Sequence, residues 1–172
     1  MSEKREVIFR EVQRPNQFWL RVVILLSAIY IWYWFIQQII LDRPFGDNPA
    51  PDTITILFWT IFGVLLPTLT FGIIKLVTEV RKDGLYIRFF PFHIKYKQFS
   101  FTNIQDYESI NYSSLKRFGG WGIRVNFKGE RVYNISGNEG IVLKLKHEEI
   151  VIIGTKNPQE LKEALDLEIN IK

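Results

Sequence analysis

The sequence predicts an α+β protein: a two-helix transmembrane hairpin followed by a small β-barrel or sandwich closed by a C-terminal helix. Three observations predict it. Two apolar runs of about twenty residues lie in the first half of the chain. Short apolar–polar alternations separated by Gly, Asn and Asp turns fill the second half. One amphipathic stretch with a clear start signal comes last. Composition agrees, because a mean hydropathy of +0.02 in a chain that is 23% charged requires apolar and charged residues to be segregated.

The first run, residues 22–41, is broken only by Ser27 and by Gln37 and Gln38. At about 1.5 Å per residue it reaches about 30 Å, the thickness of a hydrocarbon core. Residues 54–76 form the second, interrupted by Thr60, Gly63, Pro67, Thr68, Thr70, Gly72 and Lys75. A membrane helix tolerates such Pro and Gly because neighbouring groups re-satisfy the freed backbone. Neither run has the polar face of a surface helix, and each exceeds the length of a typical core helix. A cleaved signal peptide does not fit, since bulky residues follow the first run where a small-residue cleavage site is needed.

Basic residues set the expected orientation. Lys4, Arg5, Arg10, Arg14 and Arg21 precede or open the first span, and Lys75, Arg81 and Lys82 follow the second. The connector, residues 42–53, holds Arg43 against Asp42, Asp47 and Asp52. The positive-inside bias puts both termini in the cytoplasm and the connector outside, in the cytoplasmic (inner) membrane. The predicted domains are a cytoplasmic segment 1–17, a hairpin 18–78 with spans at 18–41 and 54–77, and a cytoplasmic domain 79–172. Asp52 or Thr53 is expected to cap the second helix. Gln37 and Gln38, deep in an apolar run, are candidates for an intramembrane contact.

The tail carries 15 Lys or Arg and 12 Asp or Glu, a net +3 of the chain's +4. Lys82-Asp83-Gly84 is a turn signal, and Leu85, Ile87 and Phe89 then share one strand face. A strand within 93–101 follows Pro91. Val125 and Phe127 precede the turn Lys128-Gly129-Glu130, which leads to a strand at 132–135. Ile141, Leu143 and Leu145 alternate with Lys144 and Lys146, and residues 150–153 are continuously apolar, as a buried strand can be. Asn157, Pro158 and Glu160 read as a helix start, and Leu161, Ala164 and Leu165 as the stripe that lies on the sheet.

This order resembles a pleckstrin-homology-like (PH-like) domain of the bacterial type. The resemblance is carried by Gly119-Gly120-Trp121-Gly122-Ile123-Arg124, by Tyr133-Asn134-Ile135-Ser136-Gly137-Asn138-Glu139-Gly140-Ile141 and by Ile152-Ile153-Gly154-Thr155-Lys156-Asn157-Pro158-Gln159-Glu160-Leu161. With two preceding spans, and with Phe9-Arg10-Glu11-Val12-Gln13-Arg14 and Arg43-Pro44-Phe45-Gly46, the whole chain looks like an uncharacterised prokaryotic family of two-pass membrane proteins. The resemblance implies a fold and a topology, and it implies no activity.

Chemistry-bearing patterns are sparse. The chain has no cysteine and two histidines, which excludes disulfides, thiolate metal sites and a Cys nucleophile. Gly119-Gly120-Trp121-Gly122 lacks the Walker spacing and leads into a strand, so it reads as a tight β entry. Asp106 with Glu108 and Glu148 with Glu149 are the carboxylate neighbours, and adjacent strand positions such as the latter two point to opposite faces. Ser113 and Ser114 lack a nucleophile-elbow context. His147, in Lys-His-Glu-Glu, reads as a solvated turn. Lys95, Lys97, Lys116, Arg117, Arg124, Lys128 and Arg131 form a candidate anionic-ligand patch on the tail.

The sequence therefore predicts a non-enzymatic, membrane-anchored binding module: a scaffold, assembly or regulatory protein with a protein partner and the lipid bilayer around it. No cofactor, metal or nucleic acid is expected, the last because the charge surplus forms no basic run. The alternative is recognition of an anionic lipid headgroup by the basic patch at the inner leaflet.

Overall fold

The computed structural model describes residues 6–44 and 46–169. Lys4, Arg5 and Phe45, used above for orientation and resemblance, lie outside the described residues. The chain divides into two compact units, residues 16–74 and the combination of 1–15 with 75–172.

The first unit is a helical pair. Helix α1 spans Phe18–Ile40 and helix α2 spans Asp52–Ile73. Both are long and apolar enough to cross a membrane, and only 11% of each apolar window is buried, unlike a core helix. The cap of α2 differs from expectation: Pro51 is the capping residue and makes no side-chain cap, while Asp52 lies in the first turn. α2 is widened into π-type turns at Trp59–Leu65 and Leu69–Ile73 around Pro67. A proline has no N–H for the carbonyl four residues back and crowds it, so the ladder opens there. That carbonyl belongs to Gly63, and the indole Nε1 of Trp32 donates to it at 3.1 Å. Gly63 also permits the close approach, since a Cβ there would meet Trp59 at 3.1 Å and Ile31 at 3.4 Å. The indole of Trp59 stacks on Phe35 at 4.4 Å and meets Trp32 edge-on at 5.2 Å.

The second unit is built of two sheets and two helices. Its strands are β1 (Val7–Gln13), β2 (Lys75–Arg81), β3 (Gly84–Phe90), β4 (Lys97–Ser100), β5 (Ile104–Asn111), β6 (Gly122–Val125), β7 (Arg131–Asn134), β8 (Glu139–Leu145) and β9 (Ile150–Gly154). Helix α3 is Ser114–Phe118 and helix α4 is Pro158–Ile169. One sheet runs β1-β2-β3-β4, and the other β5-β8-β9-β7-β6, with β7 parallel to β9. Both sheets are open, so the expected mixed α+β layout is present while the barrel is not closed.

Two boundaries move. Within the segment 1–17, read as an N-terminal cytoplasmic stretch, Val7–Gln13 is an edge strand, with Arg10 opposite Glu79 and Gln13 opposite Leu76. The strand it pairs with starts at Lys75, inside the stretch assigned to the second span. The domain is therefore assembled from both flanks of the hairpin.

The inward rows are Leu76, Thr78 and Val80 opposite Phe89, Ile87 and Leu85, all essentially buried. β9 is buried on both faces. Val151 and Ile153 align with Leu143 and Ile141, whereas Ile152 aligns with Val142 and joins a cluster with Tyr112, Phe118 and Val132. That second cluster exists because α3, β6 and β7 are inserted between β5 and β8, which pair with each other. The α4 stripe is as predicted, with Leu161, Ala164 and Leu165 buried. Its capping box is partial: Asn157 Nδ2 donates to the Glu160 carboxylate at 3.4 Å.

Candidate functional site

The motifs singled out in the sequence meet as internal ties. Asn134 is fully buried, and its Nδ2 donates to Ser114 Oγ at 2.6 Å and Tyr112 Oη at 3.0 Å. Its Oδ1 accepts from the Gly122 backbone N–H at 3.0 Å. One side chain thus fixes the start of α3 and the start of β6. The glycine segment before it is structural: Gly119, at φ 70°, is the left-handed C-cap of α3. On the other sheet, Gln13 Nε2 donates to Gly154 O at 2.7 Å, and Glu11 accepts from Thr155 Oγ1 at 2.5 Å and Lys156 N at 2.9 Å. The family-like segments at the two ends of the sequence are therefore one joint.

The predicted basic patch divides between two places. Five of its residues surround the inserted hairpin. Ser113 accepts from Lys116 N–H at the start of α3, and burial of Ser114 and Phe118 turns Leu115, Lys116 and Arg117 outward. In the β6–β7 turn, Asn126 Oδ1 accepts from Lys128 N–H at 2.9 Å and Glu130 N–H at 3.0 Å, closing an Asx-type turn. The turn projects Phe127, which is fully exposed, into solvent. Lys116, Arg117, Asn126, Phe127, Lys128 and Glu130 line a depression of about 380 Å³.

Charge at this tip is partly compensated. Arg117 forks onto Glu130 at 2.8 and 2.7 Å, and Asn126 Nδ2 adds a bond at 2.6 Å. Hydrogen bonding from Arg117 holds the Glu130 carboxyl below its usual value and raises the guanidinium's own. Arg131 pairs with Glu149 at 3.2 Å. Lys116 and Arg124 form no ion pair with a carboxylate among the described residues, the latter donating to Trp121 O at 3.2 Å, while Lys128 acts electrostatically on Glu130.

Lys97 stands on β4 of the other sheet and Lys95 in the loop before it. Lys97 Nζ donates to Tyr133 Oη at 2.9 Å and lies over the rings of Phe99 and Tyr133. The His93 ring is 5.8 Å from Tyr133, and burial, with Lys97 second, keeps its pKa below the ordinary imidazole value. Lys95 is exposed between Ile94 and Tyr96.

The outer face of the first sheet carries a cluster that the sequence reading missed. Glu79 is buried and takes Arg81 on one carboxylate oxygen, with Tyr96 Oη at 2.8 Å and Arg10 at 3.3 Å on the other. The guanidinium of Arg81 lies 4.4 Å from the Tyr86 ring, and that of Arg88 4.7 Å from the Tyr96 ring. Its signal was the alternation of Arg10 and Val12 with Phe9, Glu11 and Gln13, legible only once residues 7–13 are read as a strand.

Gln38 is buried within its own helical unit. Its Nε2 donates to Ala50 O at 2.6 Å and Asp52 Oδ1 at 2.8 Å, and its Oε1 accepts from Trp34 Nε1 at 2.9 Å. That amide is used up closing the connector, and Gln37 is half-buried beside it. The carboxylates considered for catalysis are dispersed: Asp106 pairs with Lys144 at 2.7 Å, and Glu149 with Arg131. His147 sits exposed in the β8–β9 turn. Tyr107 on edge strand β5 donates to Asp166 of α4, and burial, then Asp166, pushes its phenol up to about 12. Among the described residues no group of three or more His, Cys, Asp or Glu could hold a metal ion.

The fold and these surfaces define a mixed α+β protein with two long apolar helices, a two-sheet domain and an exposed aromatic–cationic tip. The chain belongs to a family of unknown function (DUF6141), whose model matches residues 2–170. No curated protein and no solved structure matches it.

Proposed function

We propose that the protein is a non-enzymatic, membrane-anchored binding module that holds a partner protein as a scaffold, assembly or regulatory subunit. On this reading α1 and α2 cross the cytoplasmic membrane, and both termini lie in the cytoplasm. The domain reads as PH-like. Without the inserted α3–β6–β7 segment, its order is a four-stranded meander, the meander β5-β8-β9 and a C-terminal helix. That arrangement supports the resemblance drawn from sequence.

One observation carries the binding reading: Phe127 stands fully exposed beside the depression lined by Lys116, Arg117 and Lys128. An aromatic anchor ringed by cations is the composition of an interface hot spot, and the uncompensated cations select an acidic partner segment. The free edge of β5 offers a second mode, addition of a peptide strand. The test is purification of the full chain in mild detergent beside F127A and K116E/K128E variants. A stoichiometric protein that is lost from both variants supports the reading. A partner that stays bound to both places the interface elsewhere and overturns it.

The second reading, anionic headgroup recognition, would use the seven cations as one patch. Five of them lie on the inserted α3–β6–β7 segment, Lys97 on β4 and Lys95 in the loop before it.

A further inference from the structure

The register of the first sheet places three features in two adjacent rows at one end. Gln13, the last residue of β1, is opposite Leu76, and Lys75, the first residue of β2, is opposite Phe90, the last of β3. The chain leaves this end after Gln13 to enter the helical pair and returns to it at Lys75. The loop that follows Phe90, residues 91–96, starts from the same end of the sheet.

This loop is built to display apolar side chains. Phe92 is 69% and Ile94 81% exposed, values that a soluble surface does not favour for two such residues in one short loop. Its base is fixed: His93 N–H donates to Phe89 O at 2.7 Å, the Phe92 ring leans on Phe89 at 5.8 Å, and Lys97 is tied to Tyr133. The charges in sequence around it have one sign. Arg14, Lys75, Lys95 and Lys97 are present, and no acidic residue occurs in the loop or in the junction segments 12–17 and 73–78.

We infer that residues 91–96 form a bilayer foot: Phe92 and Ile94 bury in the interfacial region of the leaflet, while Lys95, Lys75 and Arg14 meet the phosphates of anionic lipid. Apolar side chains flanked by cations suit that boundary, where the first enter the acyl edge and the second remain among headgroups. The occupant is a lipid surface because both chain exits leave from this end towards helices that are themselves apolar enough to span. The inference rests on that spanning reading. It does not depend on the partner surface at Phe127.

The absence of native cysteine permits a direct test on the full chain. Spin labels at F92C, I94C, F127C and I29C are read in nanodiscs rich in phosphatidylglycerol by their collision ratio of oxygen to a water-soluble nickel chelate. The ratio at 92 and 94 is expected to be several-fold above that at 127, and to fall towards it when Lys95 and Lys75 are both changed to Glu. Water-like ratios at 92 and 94 with a lipid-like ratio at 29 overturn the foot alone. Shielding of 92 and 94 from both reagents overturns it in favour of a protein contact. A water-like ratio at 29 overturns the spanning reading and the foot together.

Discussion

The two units are held together by different means. In the two-sheet domain, apolar side chains are removed from water, and two buried polar side chains tie together segments distant in sequence. Asn134 reaches Tyr112, Ser114 and Gly122; Glu11 reaches Thr155 and Lys156. In the helical pair, most apolar surface faces outward, with 11% of each window buried, so burial cannot supply the cohesion. Close packing at Gly63, an indole bond to a carbonyl freed by proline, an aromatic stack and one amide replace it. On the spanning reading proposed above, the difference follows from the surroundings: without a gain from leaving water, helices associate through shape and hydrogen bonds.

The largest expected effect tests the domain. Asn134→Ala leaves the Gly122 N–H without its side-chain acceptor and removes the donor to Ser114 and Tyr112, and a loss of about 3 kcal/mol is expected. It should appear in the strand signal of circular dichroism on thermal unfolding in nanodiscs. Tryptophan emission should be little changed, because Trp19, Trp32, Trp34 and Trp59, four of the five, lie in the helical unit. Loss of both signals together would mean that the two units do not respond separately.

Gly63→Leu is the counterpart in the helical pair. Its side chain would overlap Trp59 and Ile31, at a cost of about 2 kcal/mol, read as a shift in tryptophan emission with the strand signal intact. Gln38→Leu removes bonds to Ala50 and Asp52 but leaves the packing, and about 1 kcal/mol is expected by the same measurement. An effect as large as that at Gly63 would put the amide, not packing, in control of the pair.

A pH experiment sharpens the account of the hairpin tip. The hydrogen bond from Arg117 holds the folded-state pKa of Glu130 below the ordinary carboxylate value, so the carboxylate contributes stability above that ordinary value. The contribution is lost as pH falls through the depressed folded value. The protection factors of the Lys128 and Glu130 amides, taken relative to intrinsic exchange at each pH, should fall across that range, and Arg117→Gln should move the transition upward. The smallest stability change is expected at Phe127→Ala, within about 0.5 kcal/mol, since the ring touches little. Unchanged unfolding with loss of a bound protein would separate binding from folding.

Much of the architecture is legible in the sequence where a local pattern carries it. The apolar runs behind α1 and α2, the alternation of Leu85, Ile87 and Phe89, the unbroken apolar strand β9 and the start of α4 at Asn157-Pro158 each depend on neighbours within a few residues. β1 is different. Its alternation reads as a basic tail until β2 arrives, more than sixty residues later, to pair with it. The candidate patch was legible only residue by residue for the same reason: Lys95 and Lys97 have the same chemistry as Lys116 and Lys128, and only the course of the chain sets which of them stand together.

By itself the sequence determined the two apolar helices, the strands with clear alternation, the C-terminal helix, the charge balance and the absence of thiol chemistry, because periodicity and composition act locally. Tertiary structure alone decided that both flanks of the hairpin build one domain, that the sheets stay open, and that Asn134 and Glu11 serve as internal ties. It also decided that Phe127 and the 91–96 loop are displayed while equally apolar segments are buried. Those outcomes depend on strand pairing and register between segments far apart in the chain, which no local pattern specifies.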